Sequence, residues 1–186
     1  MLILYRLPDN TTRTIEPSDQ FITNYTTAHA GTVELDALKF VAAQEVPAQA
    51  VAVCYVAPAD VPAYLLEWAK QAANQRLAAA CQAAIEAGVT GFALGSAHTY
   101  PTDKTSQINL TAEVSAAIID GPIGTYAFMC ANVAGVWARR PHTDVQIKAA
   151  GVDARTHVKT QLTRLDTLRA QVAAATTVAA VEAVVW

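Results

Sequence analysis

The sequence predicts an α+β fold in which small antiparallel hairpins are covered by alanine-rich helices, preceded by a small N-terminal β-rich region. In the second half of the 186-residue chain, long runs without glycine or proline alternate with pairs of short apolar runs. Much of the 53% hydrophobic content is alanine, which forms helices readily. Sheets and helices each need to bury an apolar face, so this alternation favours a layer of helices on a small sheet.

The N-terminal region is predicted to contain three strands. Leu2–Leu7 forms the first, Pro8–Thr11 is a turn signal, and Thr12–Ile15 returns as the second. Val51–Val56 is rich in β-branched and aromatic residues and ends near Pro58, which indicates a buried strand.

The segment between these strands carries weaker signals. Glu16–Gly31 is polar and rich in threonine, which favours irregular structure with a short helix near Asp19–Tyr25. Val33–Val41 alternates weakly and fits either a strand or a short helix. We therefore expect a β-rich attachment region over residues 1–58 and a second domain of helices and hairpins over residues 59–186.

The first long helix is predicted to begin after Asp60, which suits an N-cap, with Pro62 tolerated in its first turn. Tyr64–Ala87 contains neither glycine nor proline, and Gly88 ends the helix as a C′ residue. Its apolar face is expected to include Leu65, Trp68, Ala72, Leu77, Cys81, Ala84 and Ile85.

Two hairpins are predicted between the later helices. In the first, Phe92–Leu94 and Ala97–Tyr100 flank Gly95-Ser96, a pair that fits a two-residue type II′ turn. In the second, Thr125–Cys130 and Val136–Arg139 flank a longer loop. The two hairpins can share one antiparallel sheet with helices on one face.

The helix after the first hairpin is predicted to span Asp103–Ile119, because Asp120-Gly121-Pro122 is a strong stop. Its buried residues are expected to include Ile108, Val114 and Ile118. The segment therefore predicts an amphipathic helix that turns sharply into the second hairpin.

The helix after the second hairpin is predicted to begin with a capping box, because Thr143 and Gln146 form the T-x-x-Q pattern. It is expected to run from Asp144 to Ala174, with Gly151 as a weak point where it could split or bend. Its apolar face is expected to comprise Val158, Leu162, Leu165, Leu168 and Val172. A last short helix is predicted over Val178–Val184.

The charge pattern argues against a nucleic-acid or membrane partner. Thirteen basic and sixteen acidic residues give a net charge of −3, and Arg139-Arg140 is the most prominent basic pair. Binding to nucleic acid or to an anionic membrane surface needs a basic stripe, which the sequence does not show. The N-terminus lacks the features of a signal peptide, and no apolar run approaches membrane-spanning length. We therefore expect folding in a reducing cytoplasm.

No combination of residues predicts catalytic, cofactor-binding or metal-binding chemistry. The chain has three cysteines, an odd number, at wide spacings: Cys54, Cys81 and Cys130. Buried thiols are therefore expected rather than disulfides or a zinc site. The four histidines are scattered, and an approach of Cys130 to His98 across paired hairpins has no nucleophile signature to support it. We expect no catalytic residues, no cofactor and no metal.

The three tryptophans are the candidate interface residues, because tryptophan is enriched at binding hot spots. They are Trp68, Trp137 and Trp186. Core packing is the preferred interpretation for Trp68 and Trp137. Trp186 ends the chain and is expected to dock onto the body of the protein or onto a neighbouring subunit.

Six pieces of the second half carry a family resemblance when taken in order. They are QRLAAACQAAIEAGV, FALGSAHTYPTD, TSQINL, GVWARRPHTDVQI, DARTHVKTQL and AAATTVAAVEAVVW. In this order and spacing, residues 64–186 resemble an uncharacterised domain family of bacteriophage and prophage tail-fibre-associated proteins. The opening LILYRLPDNTTRTI is similar to the starts of short tail-module proteins.

The resemblance implies a non-enzymatic structural component of a phage tail, associated with the tail fibre or baseplate and mediating protein–protein assembly. Its implied partners are a tail-fibre or other tail protein and further copies of itself. It would reside in the virion tail after assembly in the host cytoplasm. An alternative is a cytoplasmic chaperone that binds the fibre tip, and a remote alternative is a cell-wall hydrolase using Glu67 or Glu113. The resemblance transfers no active site.

Overall fold

A computed structural model describes residues 2–19 and 46–186, without the side chains of Tyr55 and Ile123. The α+β fold predicted from the sequence is confirmed. The chain divides into two compact units, one of residues 1–72 and 175–182 and one of residues 73–174 and 183–186. The expected domain start at residue 59 stays a prediction. The interpretations of Glu16–Gly31 beyond residue 19, and of Val33–Val41, lie outside the described residues.

The first unit contains a three-stranded antiparallel sheet. Strands β1 (Leu2–Arg6), β2 (Thr12–Ile15) and β3 (Ala52–Val56) lie in the order β2-β1-β3. Asp9 stabilises the turn between the first two strands, because its carboxylate accepts hydrogen bonds from the N–H and the hydroxyl of Thr11 at 2.9 and 2.7 Å. Asn10 takes the positive φ of 65° that this turn requires. All three strands were predicted, β1 and β3 from their apolar runs and β2 as the return after the turn signal.

Side chains on both faces of β1 are buried, since alternate residues of this central strand point to opposite sides of the sheet. Ile3 and Tyr5 pack with Val53 and Val46 on one face. Leu4 and Val56 pack on the other face against the start of the helix that follows, where the contacting residues are Val61, Leu65 and Trp68.

Helix α1 spans Val61–Glu86 and follows a short 3-10 turn at Pro58–Asp60. In the second unit it buries residues four apart, namely Ala73, Leu77, Cys81 and Ile85. Carbonyl groups in the last turn of a helix have no partner within the helix. Here the Thr102 hydroxyl donates to the carbonyl of Ile85, and Nε2 of His157 donates to that of Ala84 at 3.0 Å. Gly88 follows with a φ of 86°, as expected of a C′ glycine.

The second unit contains a four-stranded antiparallel sheet in the order β4-β5-β6-β7. Its strands are β4 (Val89–Gly91), β5 (His98–Tyr100), β6 (Tyr126–Ala131) and β7 (Trp137–His142). The two predicted hairpins therefore share one sheet. Strand β7 lies at an edge of this sheet and contains Pro141, which has no N–H to donate.

The first hairpin differs from its prediction. Gly91 pairs with His98, so a loop of residues 92–97 replaces the expected two-residue turn at Gly95-Ser96. Gly95 ends a turn in which its N–H donates to the carbonyl of Phe92, and it has a φ of 80°. The glycine serves a turn, but this turn lies within a longer loop.

Helix α2 (Lys104–Asp120) begins at the Asp103 N-cap, whose side chain accepts from the N–H groups of Thr105 and Ser106. The prediction that Ile108 and Ile118 are buried was wrong, because their side chains are 62% and 69% exposed. The helix is rotated so that it buries Leu110 and Ala117 instead. Val114 packs partly against the core, as expected.

Helix α3 (Asp144–Ala174) begins with the predicted capping box. The N–H of Thr143 donates to Oε1 of Gln146 at 2.9 Å, and the N–H of Gln146 donates to the Thr143 hydroxyl at 3.3 Å. The expected break at Gly151 was wrong, because the helix continues through it. Leu165 and Val172 are buried as expected, whereas Leu162 is 46% exposed. Helix α4 (Val178–Glu182) follows.

The core of the second unit lies between its sheet and these helices. The sheet contributes Tyr100, Tyr126, Phe128 and Cys130, while α2 and α3 contribute Leu110, Ala117, Ile147, Ala150 and Ala154. Several of these helical residues are alanines, so the helix backbones approach the sheet closely. The opposite face of the sheet is left for other contacts.

Candidate functional site

Trp68 is a core residue, as the preferred interpretation held. Only 7% of its side chain is exposed, and it packs with Leu4 and Val56 in the first unit. The guanidinium of Arg6 lies 5.5 Å from the centroid of its ring, and Nη1 of Arg6 donates to the Trp68 carbonyl at 3.2 Å. Packing in the core therefore accounts for a tryptophan at this position, and no binding partner is needed to explain it.

Trp137 is exposed, and the preferred interpretation of it as a core residue was wrong. Its side chain is 51% exposed at the start of β7. The register places it opposite Ala131, with Thr99 and Thr90 continuing the same row across the sheet. Directly paired residues lie on one face of a sheet. This row lies on the face opposite Phe128 and Cys130, which alternate with Ala131 along β6.

A shallow depression of about 400 Å³ lies along this row. Its lining includes all four residues of the row together with Val133, whose side chain is 83% exposed. We call Thr90, Thr99, Ala131, Val133 and Trp137 the Trp137 surface. It combines an exposed tryptophan, a residue type enriched at protein contacts, with an exposed valine, two threonines and an alanine.

The loop between β6 and β7 holds the Trp137 surface in one conformation. The side-chain oxygen of Asn132 accepts from the N–H groups of Ala134 and Val136 at 3.1 and 3.0 Å. Gly135 donates its N–H to the Asn132 carbonyl at 2.8 Å and has the positive φ of 75° that the loop needs. Val133 in the loop and Trp137 directly after it are therefore presented by an ordered backbone, and little backbone freedom would be lost on binding.

Trp186 docks within the second unit. The guanidinium of Arg164 on α3 lies 4.7 Å from the centroid of the Trp186 ring, which is a cation–π contact. Nη2 of Arg76 on α1 donates to the carbonyl of Val184 at 2.8 Å. These contacts match the expectation that Trp186 docks onto the body of the protein. Its role in an interface stays a prediction.

A buried tyrosine–histidine pair lies on the helix-covered face of the sheet. The Tyr100 hydroxyl and Nε2 of His142 are 3.1 Å apart, and Nδ1 of His142 lies 2.8 Å from the carbonyl oxygen of Arg140. Since a carbonyl only accepts, Nδ1 carries the proton and Nε2 accepts from Tyr100. Burial lowers the pKa of His142 and raises that of Tyr100 to about 12. Both groups are therefore neutral and mutually satisfied, as in a structural pair.

The cysteines and carboxylates form no recognisable reaction centre in the described residues. Burial raises the pKa of the Cys130 thiol, which is fully buried, and that of the Cys81 thiol. The exposed carboxylate of Glu67 lies 3.8 Å from Nζ of Lys70, which is half-buried, on α1. No group of three or more His, Cys, Asp or Glu side chains within residues 2–19 and 46–186 is arranged to hold a metal ion.

Sequence reasoning named Trp137 but missed its neighbours on the surface. Thr90, Thr99 and Val133 lie far apart in sequence and are brought together by strand pairing. Alternation along Tyr126–Ala131 could have indicated an outward face, but the register between the hairpins is not visible in either hairpin alone.

Comparison with known proteins places the larger, C-terminal part of the chain in a family. Residues 69–185, more than half of the chain, match the family model described as Domain of unknown function (DUF4376). No curated protein matches the chain. No solved structure matches it either. None of the helices in the described residues is long and apolar enough to cross a membrane.

Proposed function

The chain belongs to the family described as Domain of unknown function (DUF4376), and we propose that this member is a non-enzymatic structural component of a bacteriophage tail. It mediates protein–protein assembly at the tail fibre or baseplate. The Trp137 surface is the observation that supports an assembly role. The resemblance of residues 64–186 to tail-fibre-associated proteins supports the placement in a tail.

The Trp137 surface has the chemical character of a contact site. Trp137 and Val133 expose 51% and 83% of their side chains, and such large apolar groups gain free energy when a partner covers them. Tryptophan also recurs at the energetic centres of interfaces. Thr90 and Thr99 line the same depression, and their hydroxyl groups can supply hydrogen bonds that fix the register of a partner. The partner is another tail protein or a further copy of this chain.

A mass-spectrometric inventory of assembled particles tests the placement in the tail. We expect the protein in purified particles at a stoichiometry that matches a tail symmetry. Absence from particles, together with failure of the fibre to trimerise unless this chain is co-expressed, would assign the role of assembly chaperone instead. Absence from particles with normal fibre trimerisation contradicts both roles.

Substitution of Trp137 tests the surface. We expect Trp137→Ala to weaken self-association, or association with the co-expressed fibre protein, by at least about 30-fold, the effect of losing a hot spot of about 2 kcal/mol. The free energy of unfolding should change little because the side chain is half exposed. Analytical ultracentrifugation and urea denaturation measure the two quantities.

Phe92→Ala is the matched control, because Phe92 is an exposed aromatic residue (68%) that is not part of the Trp137 surface. It should leave association unchanged. Equal association of wild type and Trp137→Ala would count against the surface.

A further inference from the structure

A second surface of the same unit is an open groove between α2 and α3. The two helices touch where Gly151 meets Val114, since a Cβ built on Gly151 would lie 2.8 Å from Cγ2 of Val114. The groove has a volume of about 560 Å³. It follows α3 from Lys148 to Leu162, which is about 21 Å at 1.5 Å per residue. A groove of this length matches about four turns of a third helix.

The groove has an apolar lining that neither helix covers. Its lining includes Val152 and Leu162, which remain 61% and 46% exposed, together with Val158. Along α3 the lining residues recur at steps of three and four, and those of α2 do the same. Each helix therefore presents one continuous stripe to the groove. Parallel stripes of this kind receive the apolar face of an amphipathic helix.

The charge along the groove has one sign. Its charged lining residues are Lys148, Arg155 and Lys159, and no carboxylate lines it among the described residues. Lys148 is paired with Asp144 at 3.1 Å. Arg155 and Lys159 make no salt bridge within residues 2–19 and 46–186 and are exposed. The wall of an apolar groove thus carries two cations that are available to anionic groups.

We propose that this groove binds an acidic amphipathic helix of a partner protein. The apolar stripe of that helix packs on Val152, Val158 and Leu162, while its Asp or Glu side chains pair with Arg155 and Lys159. This inference rests on the proposed assembly function and adds to it the chemical character of one partner, an acidic amphipathic helix. The groove and the Trp137 surface use different residues, so each can be tested without the other.

Selection from a display library of random amphipathic helical peptides tests the proposal without a known partner. We expect the enriched peptides to carry an apolar stripe flanked by an excess of Asp and Glu. Synthetic copies should bind the full-length wild-type protein in fluorescence anisotropy, and more weakly as the salt concentration rises. Binding to the double variant Arg155→Glu/Lys159→Glu should be at least ten-fold weaker.

A matched double charge reversal on the same helices, Lys104→Glu/Arg169→Glu, controls for net charge. Both residues are exposed and neither lines the groove, so this variant should bind as the wild type does. Circular dichroism should show that both double variants are folded, because all four substituted side chains are exposed to solvent.

Three results would overturn the proposal. They are no enrichment, enrichment of neutral or basic helices, and equal binding by the Arg155→Glu/Lys159→Glu variant. Self-association that the Arg155→Glu/Lys159→Glu variant abolishes would assign the groove to a second copy instead. The mass-spectrometric inventory of particles is independent of these binding results. The groove proposal can therefore be refuted while the proposed tail function stands, and the tail function can be refuted while the groove still binds acidic helices.

Discussion

At the scale of single residues, Gly151 sets how closely two helices approach. A glycine inside a helix usually costs stability relative to alanine, so the presence of Gly151 within the unbroken α3 needs another reason. The reason is contact with Val114 of α2, because a Cβ at position 151 would lie 2.8 Å from its Cγ2. Valine in a helix has one strongly preferred rotamer and cannot move aside easily.

Gly151→Ala should therefore destabilise the protein, although alanine is the better helix former by about 1 kcal/mol. We expect a net loss of about 1 kcal/mol or more, since overpacking a core commonly costs about 1–3 kcal/mol. Urea denaturation measures it. In a Val114→Ala background the same substitution should become neutral or stabilising. A gain in stability from Gly151→Ala alone would contradict the contact.

His142 makes the stability of the second unit depend on pH. Its pKa is lowered by burial below the ordinary value of 6.5, so the unfolded chain binds more protons than the folded chain in the window below that value. The stabilising effect of the neutral form is complete above about pH 6.5 and is lost as the pH falls through the folded pKa. The hydrogen bond from Tyr100 requires this neutral form.

We expect the free energy of unfolding to fall between pH 7 and pH 5, and to fall less steeply in His142→Gln. Urea titrations at several pH values measure both slopes, and the difference removes the contribution of carboxylates. His157→Gln is the comparison variant for a half-buried histidine that donates to a helix carbonyl. Identical slopes in wild type and His142→Gln would refute the assignment.

At the scale of elements, the starts of α2 and α3 are determined locally. The N-cap of α2 and the capping box of α3 satisfy N–H groups that have no partner within their helices. Helix α3 spans 31 residues, so fraying at its start would expose the side chains that pack below it. Ile147 lies within that first turn and is fully buried.

Removal of the cap should cost a measurable part of the stability of α3. We expect Thr143→Ala to lower the free energy of unfolding by about 1 kcal/mol, the usual cost of losing a threonine cap. Thr143→Ser keeps the hydroxyl and should stay close to wild type. Thermal or urea denaturation distinguishes them, and equal stability of the two variants would show that the capping box contributes nothing.

The accuracy of the sequence-based predictions follows the range of the interactions involved. Thr143 and Gly88 were predicted correctly, because each caps or ends a helix through residues close in sequence. Ile108 was predicted to be buried and is exposed, since the rotation of α2 depends on the sheet beneath it. Trp137 was wrongly assigned to the core for a similar reason. The face of the sheet on which it lies depends on the pairing of strands, which is not visible in the local sequence.

At the scale of the whole molecule, the second unit should open as one cooperative body. Its core joins residues of β4, β5 and β6 to two helices, so exposing one part removes the contacts of the rest. Cys81 on α1 and Cys130 on β6 are both buried, and burial raises the pKa of both thiols. They therefore report on opening from two different elements.

In a Cys54→Ser background, iodoacetamide should modify Cys81 and Cys130 at similar slow rates in the native protein. Peptide mass spectrometry after timed pulses measures each site separately. Both rates should rise together with urea because both thiols require the same opening. Fast modification of Cys81 while Cys130 stays protected would show that α1 detaches independently.

The proline in strand β7 has a consequence for crowded copies of the protein. An unpaired edge strand can recruit the edge of another molecule and grow into an aggregate, and proteins oppose this with proline and charged side chains at the edge. Strand β7 carries Pro141 beside Arg139 and Arg140, so it offers an interrupted row of donors and repels its own copies. Many molecules can thus be concentrated side by side without pairing their β7 strands into a continuous intermolecular sheet.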